Sequence, residues 1–170
     1  MIKNKKAEGV FGMSFSMIFS IILIIFFISA AFIAIKFFMG FGQCAQVGLF
    51  VDDFKNKVNG VWQSQSASGY IFNSTLPSGI NYVCFVNFSA PAYRAEEWEE
   101  SVFYEAKRGR AGLLNKNLVF YPSNKACDLG YNRIEHIQIP DTNPYCISVR
   151  DSKVSISLER DFGEALVRVG

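Results

Sequence analysis

The chain has 170 residues, half of them hydrophobic, with 17 phenylalanines, four cysteines and a formal net charge of +2. Its length fits one domain plus an accessory segment. Residues 1–40 carry Lys3, Lys5, Lys6 and Lys36 against Glu8, while residues 41–170 hold the other 13 of 17 basic and 14 of 15 acidic side chains. The remainder of the chain therefore lacks the basic excess of a nucleic-acid-binding face, and no nucleic-acid partner is expected.

The first element is apolar. Residues 10–35 run for 26 positions without a charge. An α-helix rises about 1.5 Å per residue, so roughly 20 apolar residues cross a ~30 Å hydrocarbon core. A secretory signal has a shorter apolar stretch, about 7–15 residues, before a small-residue cleavage site. Ser29-Ala30-Ala31 imitates such a site, but the run continues through it to Met39. A permanent transmembrane helix is expected over residues 10–39, behind a lysine-rich cytoplasmic flank of residues 1–9. The three lysines before the span outweigh Lys36 behind it. By the positive-inside rule this predicts a single pass through the cytoplasmic membrane, with residues 40–170 outside. The lipid bilayer is thus the first expected partner. Gly12, Ser16 and Ser20 are spaced by four and share one helix face, where small residues let membrane helices approach closely. A homo-oligomer through this helix, or contact with other envelope proteins, follows as an expectation.

The lysine-rich leader, the "KKAEG" stretch and the long apolar helix feeding a β-rich remainder resemble type IV pilin and archaeal pilin-like precursors over the first 40 residues or so. The resemblance implies a membrane peptidase cutting on the cytoplasmic side, after Ala7 or after Gly9. It also implies that the freed helices bundle as a filament core. Members of that family often carry Glu five residues after the cut; here Gly12 or Ser14 stands at that place.

Gly40-Phe41-Gly42 predicts a flexible exit from the anchor. From Cys44 to about Gln65, apolar residues recur at Val47, Phe50, Val51, Phe54, Val58, Val61 and Trp62, the steps of three and four that mark an amphipathic helix. Asn59-Gly60 is expected to weaken its last turn. Short β-like runs follow at residues 69–72, 80–88, 118–121, 134–139, 145–149 and 153–158. In the last of these Val154, Ile156 and Leu158 share a face opposite Ser155 and Ser157. Residues 162–169 fit either a strand or a helical turn. "AEEWEESVFYEAKRGRAG" reads as a helix, with glutamates at its start and Lys107, Arg108 and Arg110 at its end to suit the macrodipole; Gly109 provides the stop. The fold class expected is α+β: one transmembrane helix, then a disulfide-braced domain with an amphipathic helix and a mainly antiparallel sheet.

Cys44, Cys84, Cys127 and Cys146 all lie in the part assigned outside, where an even number of cysteines implies disulfides. Two bonds allow three connectivities. Cys127 and Cys146 bracket "RIEHIQI" and are expected to pair with each other or with Cys84. No C-x-x-C is present to suggest redox catalysis or a zinc ribbon. Asn73-Ser74-Thr75 and Asn87-Phe88-Ser89 match the N-x-[ST] glycosylation pattern; Asn73, beside a turn, reads as the better acceptor.

His136 is the only histidine, and its neighbour Glu135 would point to the opposite face of a strand, away from it. No phosphate loop, G-x-S-x-G or multi-histidine cluster occurs. Asp52/Asp53 and Glu96/Glu97 suit solvated helix faces. No catalytic residue, metal or cofactor is assigned, and a structural or interaction role in the cell envelope is expected. Two other readings stand beside it: a monomeric tethered module that binds a ligand or surface polymer, and a tethered hydrolase drawing on Asp128, Asp141, Glu135 and His136.

Overall fold

Helix α1 runs from Phe15 to Gln63 without interruption in a computed structural model that describes residues 15–64, 67–109 and 112–170. The chain divides into two units, Met1–Phe41 and Gly42–Gly170. Gly40-Phe41-Gly42, where a flexible exit from the anchor was expected, is helical, and Asn59-Gly60 also stays helical. Each glycine costs about 1 kcal/mol relative to alanine. A helix already formed on both sides gains one hydrogen bond per residue added, so isolated glycines do not end it. The helix ends instead where its carbonyls are captured. The Ser64 hydroxyl donates to the Val61 carbonyl at 2.5 Å, and the Arg160 guanidinium donates to the carbonyls of Trp62, at 2.7 Å, and of Ser64. A cation at a helix C-terminus also complements the macrodipole.

In the Gly42–Gly170 unit, α1 is followed by β1 (Ala67–Thr75), β2 (Tyr82–Phe85), α2 (Glu97–Gly109), β3 (Leu118–Tyr121), β4 (Tyr131–Asn132), β5 (Ile137–Gln138), β6 (Tyr145–Ser148), β7 (Lys153–Arg160) and β8 (Val167–Val169). These strands make two four-stranded sheets, ordered β1-β7-β8-β5 and β4-β3-β2-β6. The second is antiparallel throughout; in the first, β5 and β8 run parallel. A single sheet was expected. The chain changes sheets at the turn between β6 and β7, where Asp151 and Ser152 adopt φ of 50° and 60° and Arg150 and Lys153 pair across it. Such a two-residue turn reads as a hairpin in sequence, yet its two strands belong to different sheets. β1 carries a bulge between Ala67 and Tyr70, where Gly69 takes φ 69°, a conformation that suits glycine.

Two further expectations change. Residues 134–139 do not form one alternating strand: only Ile137–Gln138 is extended, because His136 adopts φ 63° and resets the alternation. Ile134 and Ile137 are therefore both buried. The ambiguous closing segment contains a strand, β8, between β7 and β5.

The buried stripe of α1 matches the helical spacing of the sequence: Val47, Phe50, Val51, Phe54, Val58 and Val61 are each at most 3% exposed. Phe50 and Phe54 meet Phe72 from one sheet, and Phe85 and Phe120 from the other, with ring centroids 5.2–5.7 Å apart. Each such ring contributes roughly 1.5–3 kcal/mol by leaving water, so this cluster joins helix and both sheets. Sheet β4-β3-β2-β6 is covered on its other side by α2. Val102, Phe103 and Ala106 pack there with Cys84, Val86, Phe88 and Val119. The start of α2 is closed by Glu99, whose carboxylate accepts the Glu96 N–H at 3.0 Å, a capping-box contact.

Candidate functional site

Three features of the molecule carry chemistry beyond packing: an apolar helix surface, a pair of disulfides and a polar cleft. Between residues 15 and 51 the sole charge in α1 is Lys36. Every side chain described from residue 17 to residue 43 is exposed; Phe37 and Phe38 are each 71% accessible. Soluble proteins rarely leave so large a contiguous apolar surface uncovered. By length and composition this one helix can cross a membrane. Its Ser29 hydroxyl donates to the Ile25 carbonyl at 2.8 Å, which satisfies a polar group within the helix itself. Ser20 lies on the exposed helix surface. Gly12, the Ser16 side chain and the cut positions Ala7 and Gly9 lie outside the described residues.

All four cysteines pair, as Cys44–Cys127 and Cys84–Cys146. Of the pairings left open for Cys146, with Cys127 or with Cys84, the second occurs: Cys84 and Cys146 are opposite each other in the β2–β6 ladder. Cys127 departs from expectation by joining Cys44, 83 residues away. Cys127 begins a 3₁₀ turn, Cys127–Leu129, that lies against the first domain turns of α1; a side chain added at Gly48 would meet Leu129 at 3.6 Å. No local pattern links a helix to a loop so distant in sequence.

A cleft of about 530 Å³ opens beside Asn87, Lys116, Asn117, Arg133, Glu135 and His136. Asn117 shapes it by accepting the Ile134 N–H at 2.7 Å and donating to the Ile134 carbonyl at 2.8 Å. The His136 ring stacks on Trp62, with centroids 3.7 Å apart and planes 10° from parallel. The left-handed backbone at His136 replaces the strand geometry from which opposite faces were expected. Glu135 is exposed and 3.9 Å from the Arg133 guanidinium. Asp128 and Asp141 do not line the cleft. Among the described residues, no group of three or more His, Cys, Asp or Glu side chains is placed to hold a metal ion.

The two sequons differ in setting. Asn73 lies within β1, opposite Ser155, whose hydroxyl donates to Asn73 Oδ1 at 2.6 Å. Asn87 lies just past β2, exposed, on a segment held by Asn143. Asn143 is 0% exposed. Its Oδ1 accepts the Asn87 N–H at 2.9 Å, and its Nδ2 donates to the carbonyls of Asn87 at 3.0 Å and Pro91 at 2.9 Å. Its own backbone pairs with Tyr93 in both directions. Sequence reasoning missed Asn143 and Arg160. "NP" signals a turn, and nothing local shows that its asparagine will be buried under another loop. Comparison with protein-family models, with curated proteins and with solved structures finds no match for this chain.

Proposed function

We propose that the chain is a single-pass membrane protein that holds residues 42–170 outside the cytoplasmic membrane and acts through contacts in the cell envelope rather than by catalysis. The observation that carries this reading is the change of surface along α1. Residues 17–43 expose apolar side chains on every side, whereas from Val47 onward one stripe is buried in a domain core. A lipid environment covers the first part at no cost in unsatisfied backbone groups, since a helix bonds its own. Lys3, Lys5 and Lys6 favour the N-terminus inside. Two disulfides suit an oxidising exterior. The contact surface belongs to the Gly42–Gly170 unit, and anchoring is the work of the apolar helix.

A second reading, a pilin-like filament subunit, is favoured by one observation: the helix passes Gly40 and Gly42 unbroken. In that version a peptidase cuts after Ala7 or Gly9, and the apolar helices leave the bilayer to pack against copies of themselves.

One preparation tests both. Membranes from the native cell are washed at alkaline pH, extracted with detergent, and the protein is weighed intact. Retention through the wash and release by detergent are expected; release by alkali alone would refute the anchor. Loss of seven or nine N-terminal residues together with sedimenting polymer would select the filament subunit. A retained Met1–Glu8 segment on a dispersed protein would eliminate it and leave the simple anchor.

A further inference from the structure

We propose that Asn87 is a covalent modification site, the attachment point of an N-glycan whose donor is a lipid-linked oligosaccharide. The inference rests on the outside placement of residues 42–170 proposed above.

Asn87-Phe88-Ser89 has the acceptor pattern, and the structure presents it as an acceptor. The chain leaves β2 at Phe85 and turns. Phe88, the middle residue, is only 2% exposed and stacks on Phe103 at 5.6 Å. With Phe88 drawn inward, Asn87 and Ser89 both stand exposed on either side of it. Asn87 Oδ1 accepts the Ser89 N–H at 3.0 Å, an Asx turn that brings the side chain and the third residue of the pattern together. Beneath them, Asn143 fixes both main-chain polar groups of Asn87. The side-chain nitrogen of Asn87 has no hydrogen-bond partner among the described residues, so it is the group left available to react.

In the transfer, Nδ2 attacks the anomeric carbon of the donor's first sugar. The Nδ2–carbon bond forms as the bond from that carbon to the lipid phosphate oxygen breaks. The lipid phosphate leaves with the electron pair, and Nδ2 releases one proton to a base of the transferase.

Asn73 fits the same pattern in sequence and fails it in geometry. Asn73 and Thr75 are both in register with β7, opposite Ser155 and Lys153, so the main chain of this pattern is held extended in the ladder. Bending this stretch into a transferase would open the β1–β7 ladder.

The test uses full-length protein purified from native membranes. Peptides bearing Asn73 and Asn87 are analysed by mass spectrometry, and free thiols are counted in the same material without reduction. A sugar increment is expected on the Asn87 peptide, with Asn73 bare. Asn87→Gln and Ser89→Ala, expressed in the native cell, should each remove the whole increment from the intact mass, and Asn73→Gln should leave it. Ser89→Ala keeps the asparagine and the main-chain N–H of the Asx turn, so its result does not depend on a folding defect. Bare Asn87 with both disulfides formed overturns the inference and leaves the outside placement standing. Bare Asn87 with four free thiols overturns both. An increment found on Asn73 instead also overturns it.

Discussion

Replacing Asn143 tests how the loop bearing Asn87 is held, because one fully buried side chain carries three hydrogen bonds there. A neutral intramolecular hydrogen bond is worth about 1 kcal/mol net, and a buried polar group left without a partner costs about 1–3 kcal/mol. Asn143→Ala removes all three bonds. Asn87 and Pro91 are exposed residues, so water can reach part of what is released, and the expected loss is about 2 kcal/mol. Asn143→Asp has nearly the same shape but a different outcome. One oxygen still accepts the Asn87 N–H, while the other replaces a donor and faces the Asn87 and Pro91 carbonyls. Burial disfavours the charged form, so the introduced carboxyl titrates higher in the folded chain than in the unfolded one. Its deficit relative to the native chain should exceed about 3 kcal/mol at neutral pH. Lowering the pH protonates the carboxyl and restores a donor, so the deficit should shrink toward about pH 4, where an unfolded aspartate titrates. The assay is equilibrium urea unfolding of the full chain in detergent, followed by fluorescence of Trp62 and Trp98 and compared with the native chain at each pH. With a slope of about 1–2 kcal/mol per molar urea, Asn143→Ala should lower the midpoint by about 1–2 M. A shift under about 0.5 M for Asn143→Ala, or a deficit for Asn143→Asp that is the same at pH 7 and pH 4, would refute the reasoning.

Removing the long-range disulfide by Cys44→Ser with Cys127→Ser frees a loop whose ends are 83 residues apart. The loss should be about 2–4 kcal/mol, read as a fall in the urea midpoint, and no change would show that the bond braces nothing. Phe54→Ala empties a site 0% exposed among Phe50, Phe72 and Phe85. It should cost about 3–5 kcal/mol in the same assay, against less than about 0.5 kcal/mol for Leu114→Ser at a site 68% exposed. Equal effects at the two positions would contradict the assigned core. His136→Ala removes the ring stacked on Trp62 and should cost about 1–2 kcal/mol and shift the Trp62 emission; an unaltered spectrum would mean the stack is absent in solution.

Much of this was legible where a single element declares itself. The stripe from Val47 to Val61 is periodic because one helix face meets one core, and the structure buries those residues. The apolar run announces itself by length, and the charges of α2 suit its two termini. Relations between distant elements are different. The β6–β7 turn is readable, yet nothing local says that its strands enter separate sheets. Cys44 and Cys127 meet only because a 3₁₀ turn comes to lie on α1. Asn143 is polar and next to proline, so it resembles a surface turn residue until another loop closes over it. At His136 the alternation failed because one left-handed residue reset the register. Gly40 and Gly42 misled in another way: glycine weakens a helix by a small increment, and a helix continuing on both sides absorbs it.

The central claim, that the apolar helix anchors the chain with residues 42–170 outside, is tested most directly by protease protection. Intact native cells carrying the protein with a C-terminal epitope are treated with a membrane-impermeant protease, with a cytoplasmic protein followed as the control for integrity. Loss of the epitope from intact cells, with the control untouched, is the result expected. Survival of the epitope until the membrane is permeabilised would contradict the claim.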